Sequence, residues 1–129
     1  MSSTQARLIA GVRNGMNIGS AHLVMRFDTA DPFAVYLNFG GRPAPTVWIV
    51  AIDLFNDASK HPGKEVGEGD ATVKACADHV EVYLRSPDGR AELILPKQPV
   101  SEFLARAGEL TTTEAVQEAV DRLCDDLTS

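Results

Sequence analysis

Asp31-Pro32-Phe33-Ala34-Val35-Tyr36-Leu37-Asn38-Phe39 (residues 31–39) carries the clearest β-strand signal in the chain. Phe33, Val35, Leu37 and Phe39 fall on one face and Ala34, Tyr36 and Asn38 on the other, a period of two. Pro32 suits the first residue of such a strand, where its missing N–H does least harm. Upstream, Leu23, Met25 and Phe27 alternate with His22, Val24 and Arg26, and Asp28-Thr29-Ala30-Asp31 reads as the hairpin connection between the two strands. Asn14-Gly15 marks a turn after a weaker first strand near Arg7–Val12.

Downstream, Gly40-Gly41-Arg42-Pro43-Ala44-Pro45 forbids regular pairing and reads as a loop. Thr46–Ile52 is β-branched and mostly apolar, which predicts a central strand buried on both faces. Asp53 then reads as the N-cap of one helical turn, and the glycine-rich His61–Gly69 as a surface loop with little reason to be fixed. Ala71–Cys76 predicts a short strand. His79–Arg85 and Arg90–Leu95 flank Ser86-Pro87-Asp88-Gly89, which fits a type I turn with a bulge glycine. Val80, Val82 and Leu84 are expected to share a face with Ala91, Leu93 and Leu95.

Two helices are expected at the C-terminus. Ser101 caps a short one that Gly108 stops, and Thr111-Thr112-Thr113-Glu114 supplies a capping box with Thr111 and Glu114 as its ends. Val116, Ala119, Val120, Leu123 and Leu127 then form one apolar stripe at helical spacing. The expectation is an α+β domain over residues 1–129: an antiparallel sheet of six or seven strands followed by two helices.

Composition fits that size. At 129 residues, with 44% apolar and 23% charged side chains, the chain resembles an ordinary globular domain that hides roughly two-thirds of its unfolded surface. The net charge of −6 disfavours a nucleic-acid binder driven by electrostatics. Acidity is concentrated at the end. Residues 101–129 carry Arg106 and Arg122 against Glu102, Glu109, Glu114, Glu118, Asp121, Asp125 and Asp126. Glu114, Glu118, Asp121 and Asp125 are three or four residues apart, so they share the side of the helix opposite the apolar stripe, a solvated face or a docking surface for a partner. The early apolar run Leu8–Val12 is too short for a secretory signal, and no stretch approaches a membrane span. A cytoplasmic protein without membrane insertion is expected, with Cys76 and Cys124 as separate thiols.

The residues show no pattern that demands catalysis. His22, His61 and His79 fall in three different elements and match no zinc spacing with each other or with the cysteines, so no metal site is expected. Gly19-Ser20-Ala21 and Arg85-Ser86-Pro87 lack the G-x-S-x-G elbow. Gly67-Glu68-Gly69-Asp70 leads into a strand, and its carboxylates would repel phosphate. Trp48 reads as a core residue. Neither a cofactor nor a catalytic residue is expected.

Taken in order, five stretches resemble the SsgA-like proteins, regulators of sporulation-linked cell division in actinobacteria. They are Asp31–Phe39, Trp48–Phe55, Gly67–Val73, Leu84–Gly89 and Val100–Leu104, within a resemblance running from about residue 22 to 107. Ile52 stands where that family usually carries arginine, and Leu110-Thr111-Thr112-Thr113 replaces its usual Val-Pro-x-Gly. The resemblance implies a whirly-like fold, a homotrimer (with a dimer as the alternative), and a non-enzymatic adaptor recruited to division septa. Its partners would be the tubulin-like FtsZ or another family member. An acidic chaperone-like protein and a whirly-type single-stranded nucleic-acid binder are the alternatives from other functional classes, and no nucleic-acid binding is expected on charge grounds.

Overall fold

A computed structural model describes residues 2–40, 46–87 and 89–128. The chain opens with β1 (Ser3–Asn14), β2 (Asn17–Asp28), β3 (Asp31–Asn38) and β4 (Val47–Ala51), then α1 (Ile52–Lys60). It continues through β5 (Glu65–Val66), β6 (Ala71–Ala75), β7 (His79–Ser86) and β8 (Gly89–Pro96), and closes with α2 (Lys97–Leu110) and α3 (Thr113–Thr128). The eight strands form one antiparallel sheet in the order β4-β3-β2-β1-β8-β7-β6-β5, curled into a half-barrel. Two four-stranded meanders therefore meet where β1 pairs with β8, at Gly11–Ile94, Val12–Leu93 and Arg13–Glu92. The sheet has eight strands rather than six or seven, because β5 pairs at the edge and β1 is a full strand.

Register explains the core. Leu8 faces Leu23, Met25 faces Leu37, Val35 faces Val50, Val82 faces Leu93 and Val80 faces Leu95. Each pair lies on the same inner face, and each of these side chains is buried. The β1–β2 hairpin turns on Gly15, which takes φ +61° at the first of two loop positions, as a type II′ turn requires. The β2–β3 hairpin uses Asp28, whose Oδ1 accepts from the Ala30 N–H at 2.9 Å. Val80, Val82 and Leu84 do face Leu95, Leu93 and Ala91.

Several expectations change. Thr46–Ile52 is not a central strand: among the described residues β4 is an edge strand paired with β3 alone, and Ile49 is 60% exposed on its outer side. Trp48 is half-buried against the core rather than inside it. Asp53 does not cap a single turn. The helix runs from Ile52 to Lys60, its N-cap is Ala51, and Asp53 lies in the first turn, where a carboxylate suits the helix dipole. Ile52, Phe55 and Ala58 drive that extension by pointing into the core.

The next helix starts four residues before Ser101, at Lys97, and carries Pro99 in its first turn, where no intrahelical donor is needed. It passes through Gly108 because Val100, Phe103 and Ala107 seat it on the sheet and Leu110 still packs on the core. The expected loop His61–Gly69 is also held. Gly63 donates to the Ala75 carbonyl at 2.8 Å, and Glu65–Val66 pairs with β6. Gly67 sits at φ +114°, where an added Cβ would lie 2.9 Å from Leu54 Cδ2 and 3.0 Å from the Ala71 carbonyl oxygen. The expected loop over 41–45 lies outside the described residues, as does Asp88 of the expected type I turn.

The cap of α3 moves by one residue. Thr112 Oγ1 accepts from the Ala115 N–H at 3.0 Å, whereas the Thr111 hydroxyl donates back to the Ala107 carbonyl at 2.7 Å. Thr111 is committed to the end of α2, so Thr112 takes the cap. Thr112→Ala is expected to cost about 0.5–2 kcal/mol locally. The expected readout is faster amide exchange over residues 113–120; unchanged exchange there would remove Thr112 from the capping role.

Candidate interaction surface

The α1 and α2 helices cover the concave face of the sheet, but α3 touches the sheet mainly at β3. Its anchors are Ala119, which is buried, and Arg122, which donates to the Ala30 carbonyl at 3.3 Å. The apolar stripe begins half-buried at Val116 and then emerges: Leu123 is 57% exposed and Leu127 76%. Phe33 sits between buried Pro32 and Ala34, where the β2–β3 register shifts, and is 52% exposed. A groove of about 270 Å³ separates Pro32 and Phe33 from Ala119, Arg122 and Leu123. A second, of about 440 Å³, runs from Phe33 past Asn56 and Leu104 to Val116. Phe33 and the end of α3 thus form an apolar surface that monomer packing does not cover.

The expected acidic face is on the opposite side of the same helix. Glu114, Glu118, Asp121 and Asp125 are all exposed, and Gln117 donates to Asp121 Oδ1 at 2.8 Å. Three arginines on the sheet sit beside carboxylates: Arg13–Glu92 at 3.4 Å, Arg26–Asp28 at 3.1 Å and Arg85–Glu65 at 3.5 Å. These exposed pairs add little stability, but each places a negative charge beside its arginine. Among the described residues no helix is long and apolar enough to cross a membrane. Cys76 and Cys124 are not joined in a disulfide.

At the far end of the sheet, pairing assembles a polar group that the spacing argument missed. Cys76, His79 and Glu81 come together on the outer face, although the histidine and cysteine match no zinc spacing along the chain. His79 Nδ1 is 2.7 Å from Asp78 Oδ1, and its Nε2 is 3.2 Å from Glu81 Oε1. Hydrogen bonding to Asp78 and then to Glu81 raises the imidazole pKa, and the same contact lowers that of Asp78. The Tyr83 hydroxyl donates to Glu81 and lowers the carboxyl pKa, with His79 adding to the effect. Burial, followed by that bond to Glu81, pushes the Tyr83 phenol up.

The model of the SsgA family, the Streptomyces sporulation and cell division protein, matches residues 21–115. The chain belongs to the SsgA family. The match brackets residues 22–107, which hold the five stretches that resemble the family. A sporulation-specific cell division protein SsgB from Kineococcus radiotolerans is 34% identical over 92 residues, covering 67% of this chain and 54% of that protein. SsgB of Streptomyces coelicolor is 37% identical over 87 residues, covering 64% and 61%. The alignments thus span only a little over half of these relatives' lengths.

Two solved structures share the fold. One, from work on SsgB mutations that correlate with longitudinal cell division during sporulation of Streptomyces coelicolor, has a TM-score of 0.74 at 25% identity, covering 88% of this chain and 90% of that one. The other, the SsgA-like sporulation-specific cell division protein of Thermobifida fusca, has a TM-score of 0.76 at 25% identity, covering 98% and 95%. The SsgA family is one of sporulation and cell-division proteins and not a known enzyme family.

Sequence reading found the acidic face of α3 but missed the exposure of Phe33 and the Cys76–His79–Glu81 group. A signal for the second was present. Cys76 and His79 flank two turn residues, and Glu81 lies two beyond His79, so a tight hairpin puts all three on one face.

Proposed function

We propose that this protein is a non-enzymatic adaptor in sporulation-specific cell division, a single domain over residues 1–129 that helps to place the septum. In this reading it works in the cytoplasm, is recruited to division septa, and engages a division protein such as FtsZ or another family member. It binds no nucleic acid and does not insert into a membrane. The whirly-like architecture belongs to the same reading. The observation that carries it is the two-sided exposure of α3: an uncovered apolar stripe continuous with Phe33, and an acidic face opposite. The apolar side suits a second copy of the chain, within a homotrimer or else a dimer. The acidic side, with Glu114, Glu118, Asp121 and Asp125, suits a basic segment of the division partner. Relatives described as sporulation-specific cell division proteins support the process assigned.

Glu118→Lys with Asp121→Lys tests the acidic face. Both side chains are exposed, so circular dichroism and particle mass are expected to stay as in the wild type. Partner capture is expected to fall severalfold and to lose its dependence on salt. Unaltered capture by the folded double variant would take this face out of the docking surface.

A further inference from the structure

We propose that Cys76, His79 and Glu81 form a binding site for a borderline transition-metal dication of the Zn²⁺ type. One ligand atom from each of the three lies within 4.8 Å of the other two. In tetrahedral zinc centres the bonds are about 2.0–2.3 Å, so neighbouring donor atoms are about 3.3–3.8 Å apart. Rotation of half-buried side chains by about an ångström closes the difference.

The backbone prepares this arrangement. The Cys76 N–H donates to the His79 carbonyl at 2.9 Å, closing a hairpin over Ala77 and Asp78 and setting Cys76 opposite His79. Glu81, two residues further along β7, points to the same side. Lys97 Nζ then holds the turn from α2, bonding the carbonyls of Cys76 at 2.9 Å and Ala77 at 3.4 Å.

A second observation concerns the orientation of the imidazole. Histidines that ligate zinc characteristically direct the other ring nitrogen to a carboxylate, which fixes the ring. Asp78 Oδ1 occupies that place, 2.7 Å from His79 Nδ1, and leaves Nε2 facing Glu81 Oε1 at 3.2 Å. Tyr83 holds the other oxygen of Glu81, so Oε1 is the one turned towards the site. One sulfur, one nitrogen and one oxygen donor favour Zn²⁺ and its neighbours over Mg²⁺ or Ca²⁺, which take oxygen. Water completes the fourth position.

Binding replaces the thiol proton of Cys76, and in the imidazolium form the proton on His79 Nε2, by bonds from sulfur and nitrogen to the ion, the protons passing to solvent; nothing is oxidised or reduced. Lys74, paired across from Glu81, and Lys97 oppose a dication, while the thiolate, Glu81 and Asp78 favour it. The site lies on the outer face at β6–β7 and α3 packs at β3, so the proposal does not depend on the adaptor reading.

The purified full chain is titrated with Zn²⁺ by calorimetry and with Co²⁺ by absorption spectroscopy. One ion per chain is expected, with a thiolate-to-cobalt charge-transfer band that Zn²⁺ abolishes and excess Mg²⁺ does not. Cys124→Ser should keep the band; Cys76→Ser and His79→Gln, checked for folding by circular dichroism, should lose it. Asp78→Asn should weaken affinity about 10–100-fold while keeping the stoichiometry. A measurement free of any change at the site accompanies these: Zn²⁺ should protect Cys76 of the Cys124→Ser chain from alkylation. Absence of uptake, a band that survives Cys76→Ser, or alkylation unaffected by Zn²⁺ would overturn the site.

Discussion

Phe103→Ala is expected to remove about 3–5 kcal/mol of folding stability, the cost of emptying a fully packed aromatic site. Phe103 is completely buried and lies on the face of α2 that also buries Val100 and Ala107. That helix crosses β1, β7 and β8, so Phe103 sits over the seam between the two meanders. β1 and β8 pair there in register at Gly11–Ile94, Val12–Leu93 and Arg13–Glu92. α2 packs on strands from both sides of that seam and so adds to what holds the halves of the sheet together. A domain of this size has a total stability of about 5–15 kcal/mol, so the substitution takes a large share of it. Thermal unfolding at fixed protein concentration should fall by on the order of 10 °C. Met16→Ala, at a loop position 98% exposed, should stay within about 0.5 kcal/mol of wild type. Equal melting of Phe103→Ala and wild type would show that α2 does not hold the seam.

Phe33→Asp combined with Leu123→Asp is expected to abolish self-association. Both residues are more than half exposed and face each other across the groove between β3 and α3, so their loss should leave the monomer folded. In an assembly the same side chains are expected to be buried, each contributing about 1.5–3 kcal/mol, and a carboxylate in that place costs desolvation besides. The association constant should fall roughly 100-fold or more. Sedimentation equilibrium at micromolar concentration should give a multiple of 13.9 kDa for the wild type and 13.9 kDa for the double variant. A monomeric wild type, or a variant of unchanged particle mass, would remove this surface from any subunit interface.

Within the candidate surface, the acidic half was legible and the apolar half was not. Glu114, Glu118, Asp121 and Asp125 could be placed on one side of a helix from their spacing, because helical periodicity is local. Their neighbours Leu123 and Leu127 carry the same periodic signal as a buried stripe. Their exposure follows from how little of α3 reaches the sheet. Phe33 is a similar case. Its alternation with Val35 and Leu37 predicts an inward side chain, yet Phe33 is exposed between buried Pro32 and Ala34, where the pairing of β3 with β2 shifts register.

The same division runs through the fold. Alternation in Leu23–Phe27, Val35–Leu37 and Val80–Leu95 was enough to establish antiparallel hairpins and their inner faces, since a strand's two sides and a tight turn are set by neighbours in the chain. Strand order was beyond that reach. Thr46–Ile52 has the β-branched content of a central strand and is an edge, while the weak N-terminal strand is central because β8, some eighty residues later, pairs with it. Gly108 lacks a side chain and has a poor helix propensity, yet it does not stop α2, because Phe103 and Ala107 already hold the helix on the sheet. Cys76, His79 and Glu81 are unremarkable as a spacing and form a cluster only once β6 folds back on β7. Periodicity and turn chemistry act over a few residues, whereas edges, exposure and clusters depend on contacts between segments far apart in the chain.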